Sequence, residues 1–210
     1  MWHEIWLGSR ILPVMRAVRG FLPAIIGVVV VTSVEGVAGV FYLQEVAGSA
    51  VLYALLLSAW AVGSLVGVAV TGRHSFRMGA VQSILVGGIL VSVAILVEGL
   101  VPSALVIAVA FIGGGIGNAI HNVGVRNLVY EVVPREQQAQ VWSVVGALFS
   151  AAAAVGNFFG TPGLIGSARS LIVWAGAAGV VLTLVTILIT GLTRGNQNFR
   201  GPPRRLPPEG

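Results

Sequence analysis

The stretch FLPAIIGVVVVTSVEGVAGVFYL, residues 21–43, decides the fold class of this chain. It is apolar almost throughout, and Glu35 is its only charged residue. A helix needs about 20 mostly apolar residues to cross the hydrocarbon core of a bilayer. The length and composition of this stretch therefore predict a transmembrane helix with one carboxyl group near its middle.

Further segments of the same kind follow along the chain, and the overall composition agrees with them. The chain is 56% hydrophobic and only 9% charged, and its mean hydropathy is +0.95. Soluble domains usually carry about 25% charged residues. We therefore expect an all-α membrane protein with six transmembrane helices. The predicted spans are residues 21–43, 49–71, 78–97, 102–125, 141–159 and 171–192.

The positions of the arginines predict how the chain is oriented in the membrane. All twelve basic residues are Arg, and eleven of them lie before the first span, in alternate loops, or after the last span. Only Arg169 lies on the other side. The positive-inside rule therefore places both termini in the cytoplasm of a multi-pass protein of the cell membrane, here a bacterial inner membrane. An odd number of spans would break this alternation.

Two flanking segments differ from the spans. Residues 1–20 mix Trp2 and Trp6 with Glu4 and several Arg, a pattern typical of a cytoplasmic interfacial helix that links to the bundle. Residues 21–193 form the predicted six-helix bundle, and the proline-rich residues 194–210 a disordered cytoplasmic tail. The sequence pI is about 11.1, but the Arg lie in short loops between apolar runs. The lipid bilayer, and not a nucleic acid, is therefore the predicted partner.

Glu35 is the first candidate for a functional residue. A charge at the centre of a span costs about 2.5–3.5 kcal/mol on insertion scales. No basic residue lies close to Glu35 in sequence, so it must face a protein interior or a water-filled cavity, or carry a proton. Either it couples to protons or touches a substrate, or it is a neutral side chain hydrogen-bonded between helices.

The fourth span carries a second group of candidates: Asn118, His121 and Asn122, with Arg126 towards its inner end. Their spacing predicts one polar helix face. That face either lines a translocation cavity or makes hydrogen bonds between helices. Asn157 in the fifth span is a further candidate for the same path.

Other conspicuous residues have simpler interpretations. Glu45, Glu98 and Glu131 fall at span ends and are expected in water or among headgroups. The glycine-rich residues 113–117 lie inside an apolar segment with no preceding strand, which indicates close helix packing and not a phosphate loop. The chain has no Cys and no hydrolase or metalloprotease motif. We predict no enzyme activity, no cofactor and no metal site.

Three segments carry a resemblance to one half of a major facilitator superfamily transporter. HEIWLGSRIL, residues 3–12, resembles the cytoplasmic helix that links the two halves. GSLVGVAVTGRHSFR, residues 63–77, is similar to the loop after the second helix of a half, without its acidic residue. VPREQQAQVWS, residues 133–143, resembles the loop entering the fifth helix, with Ala139 and Gln140 where the family often has Gly-Arg. The C-terminal half of drug and siderophore exporters, such as the enterobactin exporter branch, is the narrower match.

The resemblance implies a fold of two inverted three-helix repeats, with the first, second, fourth and fifth helices around a cavity and the third and sixth outside. It implies proton-linked export of a small amphipathic molecule by alternating access. Glu35 would then be the proton-linked group, and Asn118, His121, Asn122 and Asn157 would line the path. The implied cytoplasmic gating residues are Gly67, Arg73, Arg77, Arg126 and Arg135.

Such a transporter needs two six-helix halves with the substrate between them. The expected partner is therefore a second half, joined covalently in a longer protein, present as a separate subunit, or supplied by another copy of this chain. A degenerate remnant, or a structural or interaction subunit without transport, is the alternative. The DNA upstream of Met1 would distinguish these cases, because it would encode six more spans in frame only in the first.

Overall fold

The structure is a computed structural model that describes residues 20–74 and 78–198, with side chains up to residue 73 and again over 78–191. The described residues form helices and connecting turns, without strands. The predicted linker helix, Arg77 and most of the predicted tail lie outside the described residues. The helices are α1 Leu22–Ala47, α2 Ala50–His74, α3 Ala80–Leu100, α4 Ala104–Val132, a short 3-10 helix Arg135–Gln137, α5 Gln138–Phe159 and α6 Ala168–Asn198.

The prediction of six spans is confirmed. Within the described ranges, six helices are long and apolar enough to cross a membrane, so the chain has the build of a multi-pass membrane protein. Most helices continue beyond the predicted spans, and α4 extends as far as Val132. The apolar pattern marks only the part that crosses hydrocarbon, whereas the helix itself continues into the polar headgroup layer. α6 likewise reaches Asn198, inside the segment predicted to be disordered.

Glycine and proline set several helix ends. Pro23 occupies the first turn of α1, where its missing N–H leaves no bond unmade. Gly48 ends that helix with φ 63° and donates its N–H to the Gln44 carbonyl at 3.1 Å, which is a left-handed glycine cap. Val101 and Val133, which follow α3 and α4, are extended and directly precede prolines. A residue before proline disfavours the helical conformation.

Helix α3 lies at the centre of the bundle. It packs against α1, α4 and α6, and it is the most enclosed of the six spans. The reason is a series of small residues that admit its neighbours closely. A Cβ on Gly87, for example, would lie 2.5 Å from the carbonyl oxygen of Gly117 in α4.

The predicted role of the glycine-rich residues is confirmed. Residues 113–117 lie inside α4, and a Cβ on Gly115 would meet the carbonyl oxygen of Trp60 and lie 2.7 Å from the backbone nitrogen of Ser64. Gly63 in α2 meets the backbone of Ile112 in the same way. Backbone contacts of this kind are typical of membrane helices packed through small residues. Helices α2 and α5 lie at the edges and are the least enclosed.

Candidate functional site

Glu35 lies on the side of α1 that faces α3. It shares that side with the buried residues Val31 and Tyr42, one and two helical turns away. Its Oε1 lies 2.8 Å from the position that a Cβ on Gly39 would occupy. The Oε1 of Glu98, from α3, lies 3.5 Å from the same point. The absent side chain of Gly39 therefore leaves the space where the two carboxyl groups approach each other.

The predicted position of Glu98 is wrong. It was expected in water or among headgroups, but it is 0% exposed, and neither carboxyl oxygen has a hydrogen-bond partner. The helices α1 and α6 cover this end of α3, where Gly39 lies beside Glu98 and Val173 lies beside Gly99. A sequence signal did exist, because Val91, Ile95 and Glu98 follow the spacing of one helix face and all are fully buried.

Two further polar groups surround the carboxyl pair. The hydroxyl of Tyr42 is buried without a hydrogen-bond partner and lies within electrostatic range of both Glu98 and Arg169. Arg169, in the first turn of α6, donates from Nε to the Gly99 carbonyl at 2.9 Å and from Nη2 to the Leu100 carbonyl at 3.1 Å. Its guanidinium therefore caps the C-terminal end of α3, where a cation is favourable.

Arg169→Ala is expected to lower the free energy of unfolding by about 1 kcal/mol, because two charge-assisted hydrogen bonds are lost at a partly exposed site. Thermal unfolding in detergent micelles measures the effect. Arg73→Ala is the matched control, since Arg73 is an exposed arginine at the other end of the bundle. Equal unfolding temperatures for the two variants would contradict a capping role.

Asn118 and Asn122 form a polar stripe on α4, as predicted. Nδ2 of Asn122 donates to Oδ1 of Asn118 at 3.2 Å. Asn118 is half-buried, and Asn122 and Arg126 are exposed, so the stripe continues towards the end of the helix. This surface is separate from the carboxyl pair, because Gly117 and His121 of α4 pack beside residues 84–91 of α3, two or more helical turns from Glu98.

His121 does not belong to that stripe. It is 3% exposed, and its Nδ1 lies 3.0 Å from the carbonyl oxygen of Ile84 in α3. Each residue turns the helix by about 100°, so His121 and Asn122 face different neighbours. The prediction that all these residues share one face is therefore wrong for His121. Its Nε2 is buried without a hydrogen-bond partner.

The remaining predicted residues lie apart. Asn157 is exposed on α5. Gly67 lies within α2 and not in a loop, and it is packed against Ile116 and Ala119 of α4. The exposed arginines at the predicted cytoplasmic end are Arg73, Arg126 and Arg135.

The described residues contain no group of three or more His, Cys, Asp or Glu that could hold a metal ion. The geometry instead defines a class: an α-helical multi-pass membrane protein in which a fully buried carboxyl group, Glu98, lies beside a half-buried one, Glu35, among the spans. Comparison with protein-family models, curated proteins and solved structures finds no match for this chain. The functional argument therefore depends on the carboxyl pair and the polar stripe themselves.

Proposed function

We propose that this chain is a half-unit of a secondary active transporter of the cell membrane, which exports a small amphipathic molecule by alternating access in exchange for protons. The observation that carries the proposal is the approach of Glu35 and Glu98 inside an apolar bundle, with no hydrogen-bond partner for the Glu98 carboxyl. Ionisable groups at such depth are costly, and in membrane proteins they typically mark ion pathways and proton relays.

The packing of the helices supports a pair of inverted repeats. If α1–α3 correspond to α4–α6, the most extensive contacts have counterparts, although the smaller α1–α3 contact has no comparable counterpart between α4 and α6. Helix α2 packs on α4 as α5 packs on α1, and α3 packs on α4 as α6 packs on α1. Helices α3 and α6, which would correspond to each other, pack together. Repeats of this kind are common in secondary transporters, whose substrate sites lie between repeated units.

The exposed surface supports a partner half. Helices α2 and α5 expose large apolar side chains, such as Leu65 at 73% and Phe158 at 59%, which lipid or protein could cover equally well. Asn122 and Asn157 are exposed too, and amide groups against hydrocarbon are unfavourable. A cavity between this unit and a second six-helix half would hydrate those amides and offer polar contacts to a substrate.

The arginines support the proposed orientation. Arg73, Arg126 and Arg135 lie where α2 and α4 end and α5 is about to begin, which is one end of the bundle. Arg169 lies at the start of α6, at the other end. The positive-inside rule then places the first end, and with it both termini, on the cytoplasmic side.

A dye-transport assay tests the proposal. Everted membrane vesicles from cells producing the protein are given a proton gradient, and accumulation of cationic ethidium and of anionic anilinonaphthalene sulfonate is followed by fluorescence. We expect gradient-driven accumulation of at least one dye, and we expect Glu35→Gln to reduce it to the level of vesicles lacking the protein. Gln keeps the shape of the side chain but cannot carry the proton.

Glu45→Gln is the matched control, because Glu45 lies on the same helix but is exposed at its end. This variant should transport like the wild type. Equal dye-transport rates for Glu35→Gln and wild type at every pH would show that Glu35 does not couple transport to protons. If the gradient drives neither dye, a second copy of this chain does not supply the missing half. Unchanged thermal unfolding of Asn118→Leu and Asn122→Leu would then identify the chain as a structural or interaction subunit.

A further inference from the structure

We infer that Glu98 is a second proton-binding residue and that it shares one proton with Glu35 across the space beside Gly39. The inference rests on the proposed function for its role in transport. The proton itself can be measured on the chain without any substrate.

The geometry brings the two groups to one point from two different helices. Glu35 Oε1 and Glu98 Oε1 lie 2.8 Å and 3.5 Å from the position of a Cβ on Gly39. Glu98 is 0% exposed with both oxygens unpartnered, and the Tyr42 hydroxyl, also unpartnered, is 4% exposed. A bound proton would give Glu98 an O–H donor towards Glu35.

No other described group facing the pair neutralises it. On α1, Glu45 is exposed at the helix end. On α6, Arg169 forms no ion pair with either carboxyl group, and its Nε and Nη2 donate to the carbonyls of Gly99 and Leu100. On α4, His121 contacts α3 at Ile84, about 21 Å along the helix from Glu98 at 1.5 Å per residue. Two carboxyl groups that share a site cannot both ionise readily, so one retains a proton.

The pair also connects proton occupancy to helix position, because one carboxyl belongs to α1 and the other to α3. Separation of the two helices would break the shared hydrogen bond and release the proton. Approach would restore the site. Alternating access needs a coupled element of this kind, whose two states differ in affinity for the coupling ion.

Dicyclohexylcarbodiimide labelling tests the inference, because this apolar reagent reacts with protonated carboxyl groups inside membranes. The intact chain is reconstituted in lipid nanodiscs and labelled over a pH series, and the modified residue is identified by mass spectrometry. We expect labelling at Glu35 or Glu98, declining as the pH rises. Glu98→Gln should reduce labelling of Glu35 at neutral pH about 5-fold or more, the lower end of the usual coupling between interacting sites.

Gly39→Ala provides a second variant, since its methyl group would occupy the point that both carboxyl groups approach. Like Glu98→Gln, it should reduce labelling of Glu35 at neutral pH. Gly36→Ala is its matched control, because a Cβ on Gly36 meets nothing within 4 Å. Each variant is first checked for monodisperse elution in size-exclusion chromatography.

Three results would overturn the inference: unchanged Glu35 labelling in Glu98→Gln, unchanged labelling in a folded Gly39→Ala, or protection by Na⁺ at constant pH, which would identify a sodium site. If Glu98→Gln lowers Glu35 labelling but no dye is transported, the shared proton is supported and the proposed transport function is contradicted. If dye is transported but Glu98→Gln leaves Glu35 labelling unchanged, only the inference of a shared proton is contradicted.

Discussion

Gly115→Ala is expected to destabilise the protein strongly, whereas Gly113→Ala, two residues away in the same glycine run, should leave it unchanged or slightly more stable. A Cβ on Gly115 would collide with the Trp60 carbonyl oxygen and lie 2.7 Å from the Ser64 backbone nitrogen. These are backbone atoms of α2, which cannot rotate away as a side chain does. A Cβ on Gly113 meets nothing within 4 Å.

The expected sizes follow from packing. Overfilling a tight contact usually costs about 1–3 kcal/mol, occasionally more, and at Gly115 the two helices themselves would have to move apart. At Gly113, alanine removes the conformational entropy cost of glycine, worth about 0.5–1 kcal/mol within a helix. Thermal unfolding in detergent micelles should therefore order the proteins as Gly113→Ala, wild type, Gly115→Ala. The same unfolding temperature for both variants would show that the α2–α4 contact is looser than described.

The sequence alone was sufficient to predict the six spans and the packing role of this glycine run. Apolar length alone marks residues 21–43 as a spanning helix, since the bilayer imposes that length on any sequence that crosses it. The ends of the helices were harder to predict from the sequence. The segment 126–132 continues α4 as a helix although it contains Arg126 and Glu131, because backbone hydrogen bonding continues where hydropathy has already changed sign.

The candidate site could be predicted only in part from the sequence. Glu35 was identified because its charge stands alone among apolar residues, and the structure adds that it faces α3. The position of Glu98 was predicted wrongly because the helix ends two residues after it. The sequence alone cannot show that α1 and α6 cover that end. His121 was grouped with Asn118 and Asn122 by spacing, but only tertiary contacts show that its ring is bonded to Ile84.

Glu98→Met is expected to raise the free energy of unfolding by about 1 kcal/mol, because burying the two Glu98 oxygens costs about 1–3 kcal/mol and one hydrogen bond with Glu35 returns only about 0.5–1.5 kcal/mol. Methionine has nearly the size of glutamate and adapts to irregular spaces, so the substitution leaves no large cavity. The unpartnered carboxyl oxygens disappear from an environment that is 0% exposed. Thermal unfolding in micelles measures the gain, and Glu45→Met, at an exposed position of α1, should produce little change.

The same variant should lose gradient-driven dye transport, and this combination carries more information than either result alone. A residue present for packing would lower the stability when replaced, and its loss of activity would follow from poor folding. A more stable protein that no longer couples to protons would show that the carboxyl group is kept at a cost to the fold, as functional groups often are. A less stable Glu98→Met would contradict this expectation, because it would show that the hydrogen bond with Glu35 stabilises the fold by more than burial of the carboxyl group costs.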